Sequence, residues 1–114
     1  MVQRFETGAR MSEMTLHNGV CYLAGQVATG GATDIQDQTR EVLSEIDRLL
    51  ALAGSDKSRL LRAEIFLDDM GDFAGMNSVW ESWLPAGQAP ARATVQARLA
   101  RPEWKVEIVI TAAA

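Results

Sequence analysis

One cysteine, one histidine, one tyrosine and three prolines are all that 114 residues contain of those types. With Cys21 alone no disulfide can close within the chain. With Cys21 and His17 alone no Cys/His metal cluster can be assembled within one chain, and no metal site is expected. The disulfide-free count fits the cytoplasm. Basic charge is also short: 11 Lys and Arg stand against 15 Asp and Glu, a net charge of -4, with a sequence pI near 4.9. A sequence-independent nucleic-acid binder needs the opposite balance, and an anionic membrane is disfavoured on the same ground. No apolar run approaches a membrane span, and Arg4 and Glu6 interrupt the segment where a signal peptide would need one. Nucleotide-binding loops are missing as well. Gly25-Gln26-Val27-Ala28-Thr29-Gly30-Gly31 ends in no Gly-Lys-Ser/Thr and has no Gly-x-Gly-x-x-Gly spacing. Gly30 and Gly31 read as a connection, whereas Gly25 directly ends a strand, where backbone approaches something closely.

What is present is enough for one domain, 1–114, with one core: 47% of the residues are apolar and charge is well mixed. Residues 2 to 6 suit a first strand. Glu13 to His17 and Val20 to Ala24 flank Asn18-Gly19, a two-residue hairpin signal. Thr33 or Asp34 caps a helix whose Ile35, Thr39, Val42, Leu43, Ile46, Leu49, Leu50 and Ala53 keep a three-and-four spacing, and Gly54 stops it. A strand follows with Leu61, Ala63, Ile65 and Leu67 on one face and Phe66 as the apolar exception on the other. Asp69 or Asp72 begins a second helix to about Leu84, with Phe73, Met76, Trp80 and Trp83 as its apolar stripe and Pro85 ending it.

The stretch Pro90-Ala91-Arg92-Ala93-Thr94-Val95-Gln96-Ala97-Arg98-Leu99 alternates at the period of a strand, predicting Ala93, Val95, Ala97 and Leu99 on a core face and Arg92, Thr94, Gln96 and Arg98 on a polar one. A last strand runs from Lys105 to Thr111. About six strands and two helices make an α+β fold with both helices on one face, because two helices cannot cover two. The bare face is then expected to carry Phe66 and Val109 among Arg62, Glu64, Arg92, Thr94, Gln96, Arg98 and Glu107. That mixture suits either a subunit interface with a polar pocket or a solvated antiparallel face.

Chemistry rests on few residues. His17 sits in a hairpin with no nucleophile beside it, and Cys21 lies inside an apolar strand, so a surface histidine and an inert buried thiol are expected. Arg92 can grip a carboxylate or phosphate through two parallel hydrogen bonds, or pair with Glu64 or Glu107 as an ordinary strand-face arginine. Glu107 can activate a water, or neutralise Arg98 or Arg62. Asn77 shares a helix face with Phe73, Trp80 and Leu84, as part of a site or as a partly exposed filler.

Gly25-Gln26 after an apolar strand, Asn77 followed by Val79-Trp80 and Trp83, Pro90 to Val95, and Lys105-Val106-Glu107-Ile108 resemble the RidA/YjgF/YER057c/UK114 family (Rid, or L-PSP). The resemblance spans essentially the whole chain and is greatest to the YoaB-like branch. It implies a chorismate-mutase-like (YjgF-like) fold, a six-stranded mixed sheet with two helices on one face, assembled as a homotrimer with clefts between subunits. It implies no cofactor and a reaction in which reactive enamines or imines are hydrolysed to a 2-keto acid and ammonia. Carried over to this chain, Arg92 grips the substrate carboxylate, Gly25 and Thr94 offer backbone contacts, Asn77 shapes the cleft, and Glu107 holds the attacking water. The archetype's Tyr and Cys are matched here by Met11 and Thr94; Met11 cannot replace a phenol hydroxyl. A trimer that binds a small carboxylate metabolite without turnover is the alternative. A ribonuclease has little support in so acidic a chain.

Overall fold

In the computed structural model, which describes residues 1–114, Asn18 and Gly19 both take positive φ, 52° and 77°. Two successive left-handed residues match the right-handed twist of the strands they join, here β2 (Ser12–His17) and β3 (Val20–Leu23). β1 (Gln3–Thr7) pairs with the other edge of β2. With β4 (Leu60–Leu67), β5 (Ala91–Gln96) and β6 (Val106–Ala113), the sheet has the order β1-β2-β3-β6-β4-β5. Only β4 and β5 run parallel. A parallel pair needs a long crossover, and α2 (Phe73–Trp83) provides it. The expected six-stranded mixed sheet with two helices is therefore present.

α1 (Ile35–Leu52) starts at Asp34, whose carboxylate accepts the Asp37 N–H at 2.8 Å. Thr33 is not the cap. At the other end Gly54 takes φ +72° while the N–H groups of Gly54 and Ser55 donate to the Ala51 and Leu50 carbonyls, which lie in the last turn. Between these ends Val42, Leu43, Ile46, Leu49 and Leu50 are buried against the sheet. Each such side chain contributes about 1.5–3 kcal/mol on leaving water. Asp69 caps a short turn, Met70–Asp72, that precedes α2, and Asp72 makes no side-chain cap bond.

The core lies between the helices and one face of the sheet. Met14, Cys21, Leu23, Ala63, Ile65, Leu67, Val106, Ile108, Ile110 and Ala112 supply the sheet side, and Met76, Val79 and Trp80 come from α2. Two expectations are corrected here. A register shift between Leu60 and Arg62 turns Leu60 inward and leaves Leu61 exposed, because one extra residue in a strand reverses the alternation around it. The faces of β5 are also the reverse of those expected. Arg92 stands opposite Ala63 and Thr94 opposite Ile65, both core residues, whereas Ala93 and Val95 stand opposite Glu64 and Phe66 on the bare face. Strand partners share a face, so Arg92, Thr94 and Gln96 point to the helix layer. Val95, predicted as core, is 48% exposed. β5 also ends at Gln96, so Ala97, Arg98 and Leu99 lie beyond it.

Candidate functional site

Arg92 lies on an edge strand, under α2. Residues 73, 77 and 80 follow the i, i+4, i+7 spacing of a helix face, and all three meet its guanidinium. Nη1 donates to Oδ1 of Asn77 at 2.7 Å, and the guanidinium carbon is 5.8 Å from the ring centroids of both Phe73 and Trp80. Two aromatic faces attract the cation and one amide oxygen orients it. The expected pairing with Glu64 or Glu107 is absent. Glu64 instead faces Arg62 at 3.3 Å, and the ion pairs of the chain involve Arg40, Arg48, Arg62 and Arg101 but not Arg92. Arg92 thus keeps donors of its fixed fork free for an external anion. Thr94 is on the same strand face two residues on, its hydroxyl buried without a hydrogen-bond partner.

A second group forms at the end of β3. The backbone of Gln26 exchanges two hydrogen bonds with Ile108, at 2.9 and 3.1 Å, which brings Gly25 beside β6. A Cβ on Gly25 would come within 2.0 Å of Glu107 Oε2 and 2.8 Å of its Cδ. Glycine is needed there for space, since the Glu107 arm lies across its α-carbon. Glu107 forms no ion pair with Arg98 or Arg62. The buried Gln26 amide donates to Glu13 Oε1 at 3.1 Å and to the Ala24 carbonyl at 3.0 Å. This pins the turn from which Gly25 projects. A cavity of about 230 Å³ beside Glu13, Gly25 and Gln26 is closed on its other side by Glu41 and Glu45 of α1 and does not include Glu107.

One chain does not bring the two groups together. Glu107 pairs with Phe66 and therefore points to the bare face, while Arg92 points to the helix layer. Arg92 and Glu107 are two strands and three residues apart, roughly 14 Å between α-carbons at ordinary strand spacing and rise. Of the five residues expected at the site, Arg92, Asn77 and Thr94 form one half, and Gly25 and Glu107 form the other.

Phe73 and Trp80 escaped sequence reasoning as guanidinium contacts, because a helix stripe of aromatics reads first as core. Their spacing with Asn77 was the available signal. Gln26 was marked only as part of the Gly25-Gln26 motif, and Glu13 carried no signal. Met11 is 48% exposed. His17 is exposed, its ring 3.3 Å from the Met1 carbonyl, and Cys21 is buried with its thiol donating to the Ala112 carbonyl. Burial pushes that thiol's pKa up, away from nucleophilic use. No group of three or more His, Cys, Asp or Glu side chains is gathered where a metal could be held, and no helix is long and apolar enough to cross a membrane.

The family model described as Endoribonuclease L-PSP matches residues 1–114. The chain belongs to the L-PSP family. A RutC family protein of Haemophilus ducreyi is 50% identical over 113 residues, covering 99% of this chain and 97% of that protein. The RutC family protein YoaB of Escherichia coli is 46% identical over 112 residues, covering 98% and 97%, in line with the expected YoaB-like resemblance. The crystal structure of a YjgF-family member from Neisseria meningitidis superposes with a TM-score of 0.97 at 52% identity, covering 99% of this chain and 94% of that one. The YjgF-like fold expected from the L-PSP resemblance is thus the fold observed.

Proposed function

We propose that this protein is a cofactor-free hydrolase of small 2-imino and 2-enamino acids, working in the cytoplasm in clefts between the subunits of a homotrimer. The observation that carries this reading is Arg92, a guanidinium oriented by Asn77 and two rings yet paired with no carboxylate of its own chain. A carboxylate-bearing substrate supplies that missing partner. Glu107, equally unpaired, lies on the other face, so one small substrate meets both groups only where the Arg92 half of one copy faces the Gly25–Glu107 half of another. β5 is an edge strand, and its outer backbone groups are free to line such a cleft.

In this arrangement Arg92 takes the substrate carboxylate in a two-bond fork and leaves the imine carbon toward Glu107. The Glu107 carboxylate accepts a proton from a water as its oxygen adds to that carbon. The carbinolamine so formed expels ammonia, after proton transfer to nitrogen, and the 2-keto acid remains. An enamine enters the same sequence after protonation at its β-carbon. Membership of a family described as Endoribonuclease L-PSP supports a family-level role; the acidic balance of this chain speaks against RNA as its substrate.

The test couples the protein to an amino-acid oxidase that generates imines and follows keto-acid release. Wild type accelerates release, while Arg92→Ala and Glu107→Gln each abolish the acceleration. Mixing the two inactive variants under subunit exchange restores part of it, because some clefts then join an intact Arg92 to an intact Glu107. No acceleration by wild type across several amino acids refutes the enzyme and leaves a carboxylate-binding trimer. Two inactive variants that never complement refute the shared cleft.

A further inference from the structure

A cavity of about 650 Å³ contains none of Arg92, Asn77, Gly25 and Glu107. It lies between the loop after Gln26 and the loop before β6. Thr29, Gly31 and Thr33 stand on one wall and Arg101, Trp104 and Lys105 on the other. We infer that this cavity is a second binding site, for the carboxylate or phosphate group of a small molecule.

Three features support this. The walls are fastened to each other from within. Gln38 of α1, 1% exposed, donates to the Ala32 carbonyl at 3.1 Å and the Glu103 carbonyl at 2.8 Å and accepts the Lys105 N–H at 2.8 Å. A buried amide with its hydrogen-bonding groups engaged on both loops keeps the cavity open before any ligand arrives. Charge is the second feature. In a chain of net charge -4, the cavity gathers two cations against one carboxylate, Glu103. Lys105 forms no ion pair, and Arg101 meets Glu103 only loosely, at 3.9 Å. The Arg101 guanidinium lies 5.5 Å from the Trp104 ring centroid, so the ring steadies it without using its N–H donors. Third, the N–H groups of Gly31, Ala32 and Thr33 make no hydrogen bond within the chain. Clustered backbone donors beside cations are the usual components of an oxyanion site.

The test is a titration of the full-length protein with inorganic phosphate and, separately, with succinate, followed through the amide signals of Gly31, Ala32 and Thr33 and the Trp104 indole signal. Saturable shifts of these signals are expected with at least one probe, and the probe that binds more tightly here distinguishes a phosphate ligand from a carboxylate one. Arg101→Gln and Lys105→Gln should each weaken binding about tenfold, the effect of losing one charge-assisted hydrogen bond. Arg92→Ala should leave it unchanged, which keeps this inference separate from the proposed catalytic cleft. Gln38→Leu serves as the variant that loosens the walls while keeping both cations, and it should also weaken binding. No saturable shift with either probe overturns the proposal. So does binding that survives the Arg101→Gln/Lys105→Gln double variant, or that disappears in Arg92→Ala.

Discussion

Replacing Gly25 by alanine separates the Glu107 carboxylate, the proposed base, from everything else in the proposed cleft. The new Cβ would lie 2.0 Å from Oε2, 2.8 Å from Cδ and 3.0 Å from Cγ of Glu107. Gly25 is not among the residues of positive φ, so alanine adds no backbone strain, and the Glu107 arm is what must yield. Its carboxylate retreats by about 1 Å or more, a displacement that costs a reacting group roughly 100-fold in rate. That factor corresponds to about 2.7 kcal/mol in the barrier. The fold loses less, because an off-rotamer side chain costs about 0.5–1.5 kcal/mol, a melting shift of about 10 °C at most for a domain of this size. Steady-state keto-acid release, calorimetric titration with a 2-keto acid and a thermal melt together check this. We expect kcat to fall about 100-fold, Kd for the keto acid to stay within about threefold, and the protein to stay folded. Unchanged kcat in Gly25→Ala would refute the role given to the Glu107 carboxylate. Equal losses of binding and turnover would refute the division of labour between Glu107 and Arg92.

Asn77→Asp places a carboxylate where a neutral oxygen now sits 2.7 Å from Arg92 Nη1, so the guanidinium is neutralised internally and KM for carboxylate substrates rises at least about tenfold; an unchanged KM counts against Arg92 as the anion grip. Ile46→Ala opens a cavity at a position with no exposure and should cost about 2–5 kcal/mol, read by urea denaturation, with the separate residues of the cleft untouched. Asp34 is held below its ordinary pKa of 3.8, first by the Asp37 N–H it caps. Its contribution to stability is complete above that ordinary value and is lost as pH falls through the lower folded value. Asp34→Asn retains the cap but flattens this acid limb of the stability curve, and an unaltered limb would contradict the assignment.

How far the chain could be read in advance depended on which interactions decide each element. Local ones were legible: Asn18-Gly19 fixes its turn by backbone conformation, and the α1 stripe from Val42 to Leu50 repeats long enough to define a face. β5 misled because its alternation is genuine but its core side is not the apolar one. Trp80 and Phe73 of α2 close the space above Arg92, whose aliphatic stem and flat guanidinium pack against rings as a hydrophobe would, while the small apolar Ala93 and Val95 face outward. Neither contact is local in sequence. The extra residue near Leu61 was hidden for a similar reason, since a bulge is set by the register with β6 rather than by the residues of β4 themselves. The motif singled out Arg92, Asn77, Thr94, Gly25 and Glu107 as candidates, but their placement in two separate halves depends on strand register and was not legible.

That division has a physical logic of its own. If Arg92 and Glu107 shared one face of one chain, each would find the other before any substrate did, and a satisfied ion pair is a poor anion site. Holding the two groups on opposite faces lets a single chain fold with both charges unpaired. Asn77 and the two rings hold Arg92 in place without neutralising it, and the missing side chain of Gly25 makes room for Glu107 without adding a cation. In the proposed assembly the two charges come within reach of each other only with a substrate between them, and the guanidinium then serves the carboxylate end while Glu107 stays free to work on water.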